Sequence, residues 1–376
     1  MNCKHFGTCG SCGLYELSYP EQLKRKKEWV SKLLAPFYQA EPELFDSPDS
    51  HYRARSEFRI WHEGERCDYA MGKMPVNGVR EKGAINIEEC PKVIEAIEKR
   101  MWKLLDKINA SQEVLKKRLF AVEFLATTTD ECLITMLYHR KLDEEWSEEA
   151  KFLESELNCK VMGRSRKQKV LLSDEFVTEK LNIDEKTVTY VQYESGFTQP
   201  NPMVNVKMIE WAIKQAKTVG RGDFLEAYCG LGNFTLPLSH YFDKVLATEI
   251  SKNSINAAFE NCKLNEITNI TFARLSSEEM TEALNGVREF TRLKEIDLKS
   301  YDFSTVLVDP PRAGLDEASI GLISKIENII YISCNPETLA RDLETLTQTH
   351  VVVEAALYDQ FPHTSHVESG VFLQKK

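Results

Sequence analysis

From about residue 220 onward, short runs rich in β-branched and aromatic residues alternate with helical stretches, and nothing else in the chain restricts its fold as strongly. The runs are 223–230 (DFLEAYCG), 244–250 (KVLATEI), 269–275 (NITFARL), 305–311 (TVLVDPP), 328–335 (NIIYISCN), 351–358 (VVVEAALY) and 369–374 (SGVFLQ). Helices between successive strands act as crossovers, which give parallel βαβ units and a doubly wound sheet. No helical stretch separates the last two runs, so they are expected to pair antiparallel. Residues 191–376 are read as an α/β, Rossmann-like domain of seven strands, the final pair antiparallel.

The first half carries weaker signals. Residues 15–35 (YELSYPEQLKRKKEWVSKLLA) read as one amphipathic helix after Pro20, within a stretch of about 15–46 placed to dock on the second domain. SEFRIWHE, LFAVEFLATT and CLITMLYH read as strands, with a helix between Glu89 and Ile108. An α+β domain over roughly 47–190 follows, inside an N-terminal region of 1–190. The 376 residues suffice for two domains, and 42% hydrophobic residues supply their cores. No window reaches the apolar length of a membrane span, and the N-terminus lacks a signal-peptide stretch, so a cytoplasmic protein without membrane contact is expected.

With 48 Lys and Arg against 58 Asp and Glu, the formal charge of −10 argues against a generic polyanion binder. It leaves room for a local groove. Two basic patches offer one, Arg53, Arg55 and Arg59, then Arg164, Arg166, Lys167 and Lys169, although each also reads as an ordinary solvated face.

The strand ends carry the chemistry. Gly230 and Gly232 close the first run of the sheet and would let a ligand approach the backbone, but without a third glycine they equally describe a tight turn. Glu249 closes the second run, about 20 residues on, where a carboxylate can accept hydrogen bonds from ribose hydroxyls. Asp309 and Cys334 close two further runs, and ligands of open α/β sheets bind beyond such ends. An adenosine-containing ligand without a pyrophosphate suits the shortened glycine loop. Cys334 precedes a helix started by Pro336, whose N-terminus is expected to lower the thiol's pKa. Taken alone, Cys334 is an ordinary buried thiol and Glu368 an ordinary surface acid. If the last strand is antiparallel, however, Glu368 reaches the same crevice, and the two form a nucleophile and a base around one pocket.

Ten cysteines in a cytoplasmic chain do not suggest disulfides, and Cys3, Cys9 and Cys12 crowd the first dozen positions. A metal or iron–sulfur site is the better reading there. Cys229 and Cys262 read as core residues.

The set FTQPN, EAYCGLGNF, ATEI, VDPPRAGLD, YISCNPETL and HTSHVESG resembles the RNA uracil-5-methyltransferase family, and SHYRARSEFRIWHEGE and LYHRKLDEEW extend the likeness over nearly the whole chain. The resemblance implies a Rossmann-like methyltransferase domain using S-adenosylmethionine, with an N-terminal α+β region for RNA recognition. It implies that Cys334 is the nucleophile and Glu368 the proton acceptor. It assigns cofactor contacts to Gln199, Tyr228, Asn233, Glu249 and Asp309, and RNA contacts near Glu57, Arg59 and Phe120. The spacing of Cys3, Cys9 and Cys12, with Cys90 downstream, is similar to the [4Fe–4S] site of some family members; a four-cysteine zinc site is the rival, and Cys67 is a less suitable fourth ligand.

This chemistry explains the residue types. Uracil carbon 5 is a poor nucleophile until a thiolate adds at carbon 6, and a base must afterwards remove the carbon 5 hydrogen. The target uridine must leave its stack to expose both faces. The arginine-rich SHYRARSEFRI segment is placed to hold the displaced backbone. Transfer RNA is the expected substrate, at the T-loop uridine, with tmRNA as an additional one. The chain begins at the cysteines with no N-terminal β-barrel ahead of them, which sets it apart from ribosomal RNA relatives; 23S ribosomal RNA remains the runner-up. A non-catalytic RNA-binding or RNA-folding protein and a cytosine-5 methyltransferase are the rival classes, and the motifs around Cys334 and Glu368 favour neither.

Overall fold

A computed structural model describes residues 1–75, 82–111 and 113–376, and these form two large sheets joined by a hairpin. In chain order the first half contains α1 (Tyr19–Leu34), β1 (Glu43–Phe45), β2 (Arg55–Glu63), β3 (Arg66–Gly72), β4 (Ala84–Asn86) and α2 (Glu95–Ala110). There follow β5 (Leu119–Ala126), β6 (Cys132–Tyr138), α3 (Glu144–Leu157), β7 (Lys160–Ser165), β8 (Gln168–Leu171), β9 (Phe176–Ile183) and β10 (Lys186–Tyr193). The second half contains α4 (Pro202–Val219), β11 (Asp223–Ala227), α5 (Thr235–Leu238), β12 (Val245–Thr248), α6 (Lys252–Leu264), β13 (Ile270–Ala273) and α7 (Ser277–Leu284). It ends with β14 (Phe303–Val308), α8 (Glu317–Ile323), β15 (Asn328–Ser333), α9 (Pro336–Leu346), β16 (His350–Tyr358) and β17 (Glu368–Lys375).

The second half folds as the alternation requires. Its sheet runs β1-β16-β17-β15-β14-β11-β12-β13, parallel except for β17, which is antiparallel to both neighbours. Every residue of β11, β12 and β15 is buried, the signature of parallel strands covered by helices on both faces. The seven expected strands are present. An eighth, β1, is supplied by the N-terminal region and pairs parallel with β16, Glu43 opposite Ala356 and Phe45 opposite Tyr358. Three residues with no local pattern could not announce it.

The first half is α+β, its sheet running β4-β3-β2-β5-β6-β7-β8 with α2 and α3 packed on it. α1 starts beside the expected Pro20, whereas α2 starts later than its sequence suggests. α1 begins at Tyr19 because Ser18 caps it, the Glu21 carboxylate accepting from the Ser18 backbone N at 2.9 Å, and Pro20 fits the first turn. α2 begins at Glu95, the preceding residues forming turns around Pro91. The β9–β10 hairpin lays Leu181, Ile183, Val188 and Tyr190 onto the core of α4 and α6. α1 packs along α9 and buries Val30 and Leu34 in the other core layer of the large sheet. No helix among the described residues is long and apolar enough to cross a membrane.

Candidate active site

The carboxyl ends of β11, β12, β14 and β15 meet the start of β17 along one edge of the large sheet. Register explains the meeting. Ser369 in β17 lies opposite Ser333 in β15, so Glu368 stands beside the end from which Cys334 emerges. Asp309 follows β14, Glu249 follows β12, and Tyr228 to Asn233 form the turn after β11.

That turn is held in a left-handed backbone, with φ of 64° at Tyr228, 56° at Gly230 and 89° at Gly232. A Cβ on Gly232 would stand 2.3 Å from Leu236 Cδ1, so space and conformation both demand glycine there. Glu249 braces the turn: its Oε2 accepts from Gly230 N at 3.2 Å and its Oε1 from Ser251 N at 2.7 Å. Asn233 and Asn205 exchange amide hydrogen bonds at 2.8 and 2.9 Å, and the Tyr228 hydroxyl meets Ser277 Oγ at 2.6 Å. Gln199, Tyr228, Asn233 and Asp309 line one narrow cavity together with Phe197 and Glu226. Tyr228 and Glu249 line an adjoining one of about 410 Å³. The five residues assigned to the cofactor by resemblance thus lie around two cavities that share Tyr228.

Sequence reasoning does not reach Glu226. Its only signal is a carboxylate in the middle of DFLEA, a strand buried at all five positions. Its Oε2 has no partner among the described residues, and burial pushes the carboxyl up to about 8. Gln360 is likewise silent in sequence. It is fully buried, its Nε2 lies 3.4 Å from Gln199 Oε1, and its own Oε1 has no partner among the described residues.

Cys334 lines a third cavity, of about 530 Å³, with Arg312, Asn335 and His366 from the sheet edge and Arg25 and Trp29 from α1. Its thiol is not depressed, contrary to expectation. Asn335 and Pro336 do start α9 beside it, with Asn335 Oδ1 accepting from Glu337 N at 3.1 Å. Burial nevertheless pushes the thiol up to about 11, Glu368 and Asp309 add to the rise, and Arg312 opposes it. Enclosure and two carboxyl groups outweigh the helix terminus. Burial also pushes Glu368 up to about 8, with Asp309 adding and Arg312 opposing, and Asp309 up to about 7. Raised carboxyl pKa values gathered at one sheet edge are a signal of a functional site, and an ionised Glu368 is a strong base for a carboxylate.

The loop that delivers Glu368 is gripped by the N-terminal region. Lys26 Nζ donates to Asp359 Oδ1 at 2.6 Å and to the Phe361 carbonyl at 3.1 Å, with both side chains of the pair buried. The Tyr19 hydroxyl donates to Asp359 Oδ2 at 2.8 Å, and Gln22 Oε1 accepts from His363 N at 2.8 Å. The Tyr52 hydroxyl donates to the Pro362 carbonyl and Leu14 N to the His363 carbonyl, each at 2.9 Å. His363 itself has φ of 63°.

Cys3, Cys9, Cys12 and Cys90 line one small cavity with Ser11, Glu89 and Lys92. Gly10 permits the close lie of this segment on β3, since a Cβ there would stand 2.5 Å from the Lys73 carbonyl oxygen. Burial pushes both Cys12 and Cys90 up to about 11, with the neighbouring thiols adding to the rise. Among the described residues no three His, Cys, Asp or Glu side chains stand in a metal-ligating arrangement. Cys67 lies outside this cavity, buried in β3, and Cys229 and Cys262 are core residues.

A family model described as tRNA (uracil-5-)-methyltransferase matches residues 18–376. The chain belongs to this family. The tRNA/tmRNA (uracil-C(5))-methyltransferase of a Sulfurovum species is 80% identical over 376 residues, the whole of both chains. The protein of that name from a Nitratiruptor species is 51% identical over 375 residues, again the whole of both. The fold is shared with Pyrococcus abyssi tRNA (uracil-54, C5)-methyltransferase, solved in complex with S-adenosyl-L-homocysteine. The TM-score is 0.71 at 24% identity, covering 96% of this chain and 85% of that one.

In this member of the family the basic patches differ from expectation. Arg53 is half-buried, its guanidinium carbon 5.8 Å from the Phe361 ring centroid. The Arg55 guanidinium donates to the carbonyls of Glu194 and Gly196. Both arginines therefore join parts of the protein, and neither is placed as a free clamp on a displaced RNA backbone. Arg59 is exposed, as are Glu57 and Trp61 on the same face of β2, and a register shift in β5 turns Phe120 outward. In the second patch Arg164 pairs with Glu194 at 2.7 Å and Lys169 with Glu175, leaving Arg166 and Lys167 exposed.

Proposed function

We propose that the chain methylates carbon 5 of a transfer RNA uridine, the T-loop position that yields ribothymidine, with tmRNA as a further substrate. The observation that carries this reading is the register of β15 against β17, which brings Cys334 and Glu368 to one edge beside the cavities lined by Gln199, Tyr228, Asn233, Glu249 and Asp309. Those residues suit S-adenosylmethionine. The left-handed turn offers close backbone approach, and the Glu249 carboxylate and the unpaired buried oxygen of Glu226 offer acceptors. When bound, the cofactor supplies an electrophilic methyl group on a sulfonium.

The chain's own residues do the rest. Cys334, once its proton is lost, adds through sulfur to carbon 6 of the uracil and pushes electron density onto carbon 5. After carbon 5 is methylated, the Glu368 carboxylate removes its hydrogen. The released electron pair restores the carbon 5–carbon 6 double bond and the Cys334 thiolate leaves. Residues 1–190 carry RNA recognition in this reading, through the exposed face bearing Glu57, Arg59 and Phe120. A cytoplasmic location goes with such a substrate.

The convergence of four thiols on one cavity supports a thiolate-held centre, a [4Fe–4S] cluster ahead of a zinc ion, although no three of them stand in a metal-ligating arrangement among the described residues. The proposed reaction needs no redox step from it.

The test is methylation in vitro of separate unmodified transfer RNA and ribosomal RNA pools, with the product nucleoside located by mass spectrometry. Ribothymidine in the T-loop is expected. Exclusive methylation of the ribosomal pool would overturn the substrate, and a methylated cytidine would overturn the chemistry.

A further inference from the structure

The cavity at Cys334 is larger than one uracil needs. Its volume of about 530 Å³ lies in the range that encloses a whole small molecule, and part of its wall is α1, outside the sheet edge. Arg25, Lys26 and Arg312 line it, and no Asp or Glu is among its lining residues, although the chain's net charge is −10. Lys26 is neutralised by Asp359 at 2.6 Å, and Arg312 lies 2.7 Å from His366 Nδ1. Arg25 is exposed and has no ion pair among the described residues.

Arg25 and Trp29 stand four residues apart, hence one above the other on a single helix face. Trp29 packs partly on the core and partly lines the cavity. The grip of Tyr19, Gln22 and Lys26 on residues 359–363 fixes this face relative to Cys334, so binding there costs little ordering.

We propose that α1 carries a second nucleotide subsite in the catalytic cavity, where Trp29 stacks the base next to the target uridine and Arg25 holds the adjoining phosphate. The subsite rests on the reading of the chain as an RNA uracil methyltransferase. Taking one base out of a stack strips its neighbour of a stacking partner, and an aromatic ring replaces that partner without demanding a particular base. A guanidinium beside it meets the phosphate through charge-assisted hydrogen bonds.

The test is RNA binding by fluorescence anisotropy at several salt concentrations, using the full chain and a transfer RNA T-arm hairpin. Arg25→Ala should weaken binding on the order of 10-fold and lower the salt slope by about 0.7, the value for one single-strand phosphate contact. Trp29→Ala should weaken it on the order of 10-fold with the slope unchanged, and Trp29→Phe should recover most of the loss. Replacing one neighbour of the target uridine by an abasic residue should abolish the difference between parent and Trp29→Ala, a coupling that mere loss of structure would not show. Affinity for S-adenosylhomocysteine should be unchanged throughout. Parent-like affinity and slope in Arg25→Ala, with no abasic coupling for Trp29→Ala or Trp29→Phe, would overturn the subsite alone. A parent that neither binds nor methylates the hairpin would overturn the underlying reading as well.

Discussion

The two walls of the active site are built on different principles. The edge proposed to hold the cofactor is made of strand ends and the turns that leave them, braced by neighbours such as Glu249 on Gly230. The reaction cavity is closed by α1 and the 359–367 loop, joined by a buried ion pair between residues 333 positions apart. One wall is positioned by backbone register, the other by a few long-range side-chain contacts. Substitutions at the first should change binding or chemistry and spare the fold, whereas those at the contacts joining α1 to the loop should change stability first.

The largest effect tests the first half of this contrast. Cys334→Ala should lower methyl transfer on the order of 10³-fold or more while cofactor affinity, measured by calorimetry, stays within about twofold. A variant turning over near the parent rate would remove Cys334 from the chemistry.

Next comes the second wall. Lys26→Met leaves Asp359 buried without its cation and should cost about 3–5 kcal/mol in denaturant unfolding, whereas Lys26→Met with Asp359→Leu should recover most of the loss. Parent-like stability in the single variant would mean that the pair does not hold the loop.

A smaller effect concerns pH. Glu368 must be ionised to act as a base, so turnover should rise as pH increases through about 8, the value to which burial pushes it. Stability should move the opposite way. A carboxyl raised from 4.5 to about 8 on folding contributes stability that is full below 4.5 and is lost as pH rises through 8. Thermal melts of Glu368→Gln should therefore gain on the parent as pH climbs from about 5 to about 9, by roughly 2 °C or more. A constant gap between the two melting temperatures would contradict the raised value.

Smallest in its effect on turnover is the cysteine cavity. Anaerobically purified protein should contain about four irons per chain and be brown. Cys12→Ser should lose iron and some solubility while kcat stays within about twofold. Stoichiometric zinc without iron would favour the rival ion, and neither metal would leave four free thiols around one cavity.

The contrast between the walls also explains what the sequence discloses. The sheet was legible because its strands are short apolar runs at regular spacing, and strand ends are where ligands of such sheets bind. The antiparallel β17 could be read from the missing helix before it, and with it the place of Glu368. β1 could not, being three residues paired with a strand more than 300 positions away. Lys26 is one of several lysines in α1, and only the fold shows that it is buried against Asp359. Arg53 and Arg55 looked like an RNA clamp because composition cannot tell a guanidinium facing solvent from one set against an internal ring, as Arg53 is, or spent on internal carbonyls, as Arg55 is. The helix terminus at Cys334 was equally readable, but the enclosure that overrides it is a tertiary property.

The proposed chemistry requires a covalent bond between Cys334 and the target base, and one measurement addresses it directly. Glu368→Gln is incubated with transfer RNA and methyl-labelled S-adenosylmethionine, the protein is separated on a denaturing gel, and the slow-migrating band is digested for mass spectrometry. Without the base, elimination stalls after methylation, so the label should appear in an RNA adduct on the peptide containing Cys334, and Glu368→Gln combined with Cys334→Ala should give no band. An adduct mapped to another residue, or labelled ribothymidine formed at the parent rate with no adduct at all, would contradict the account.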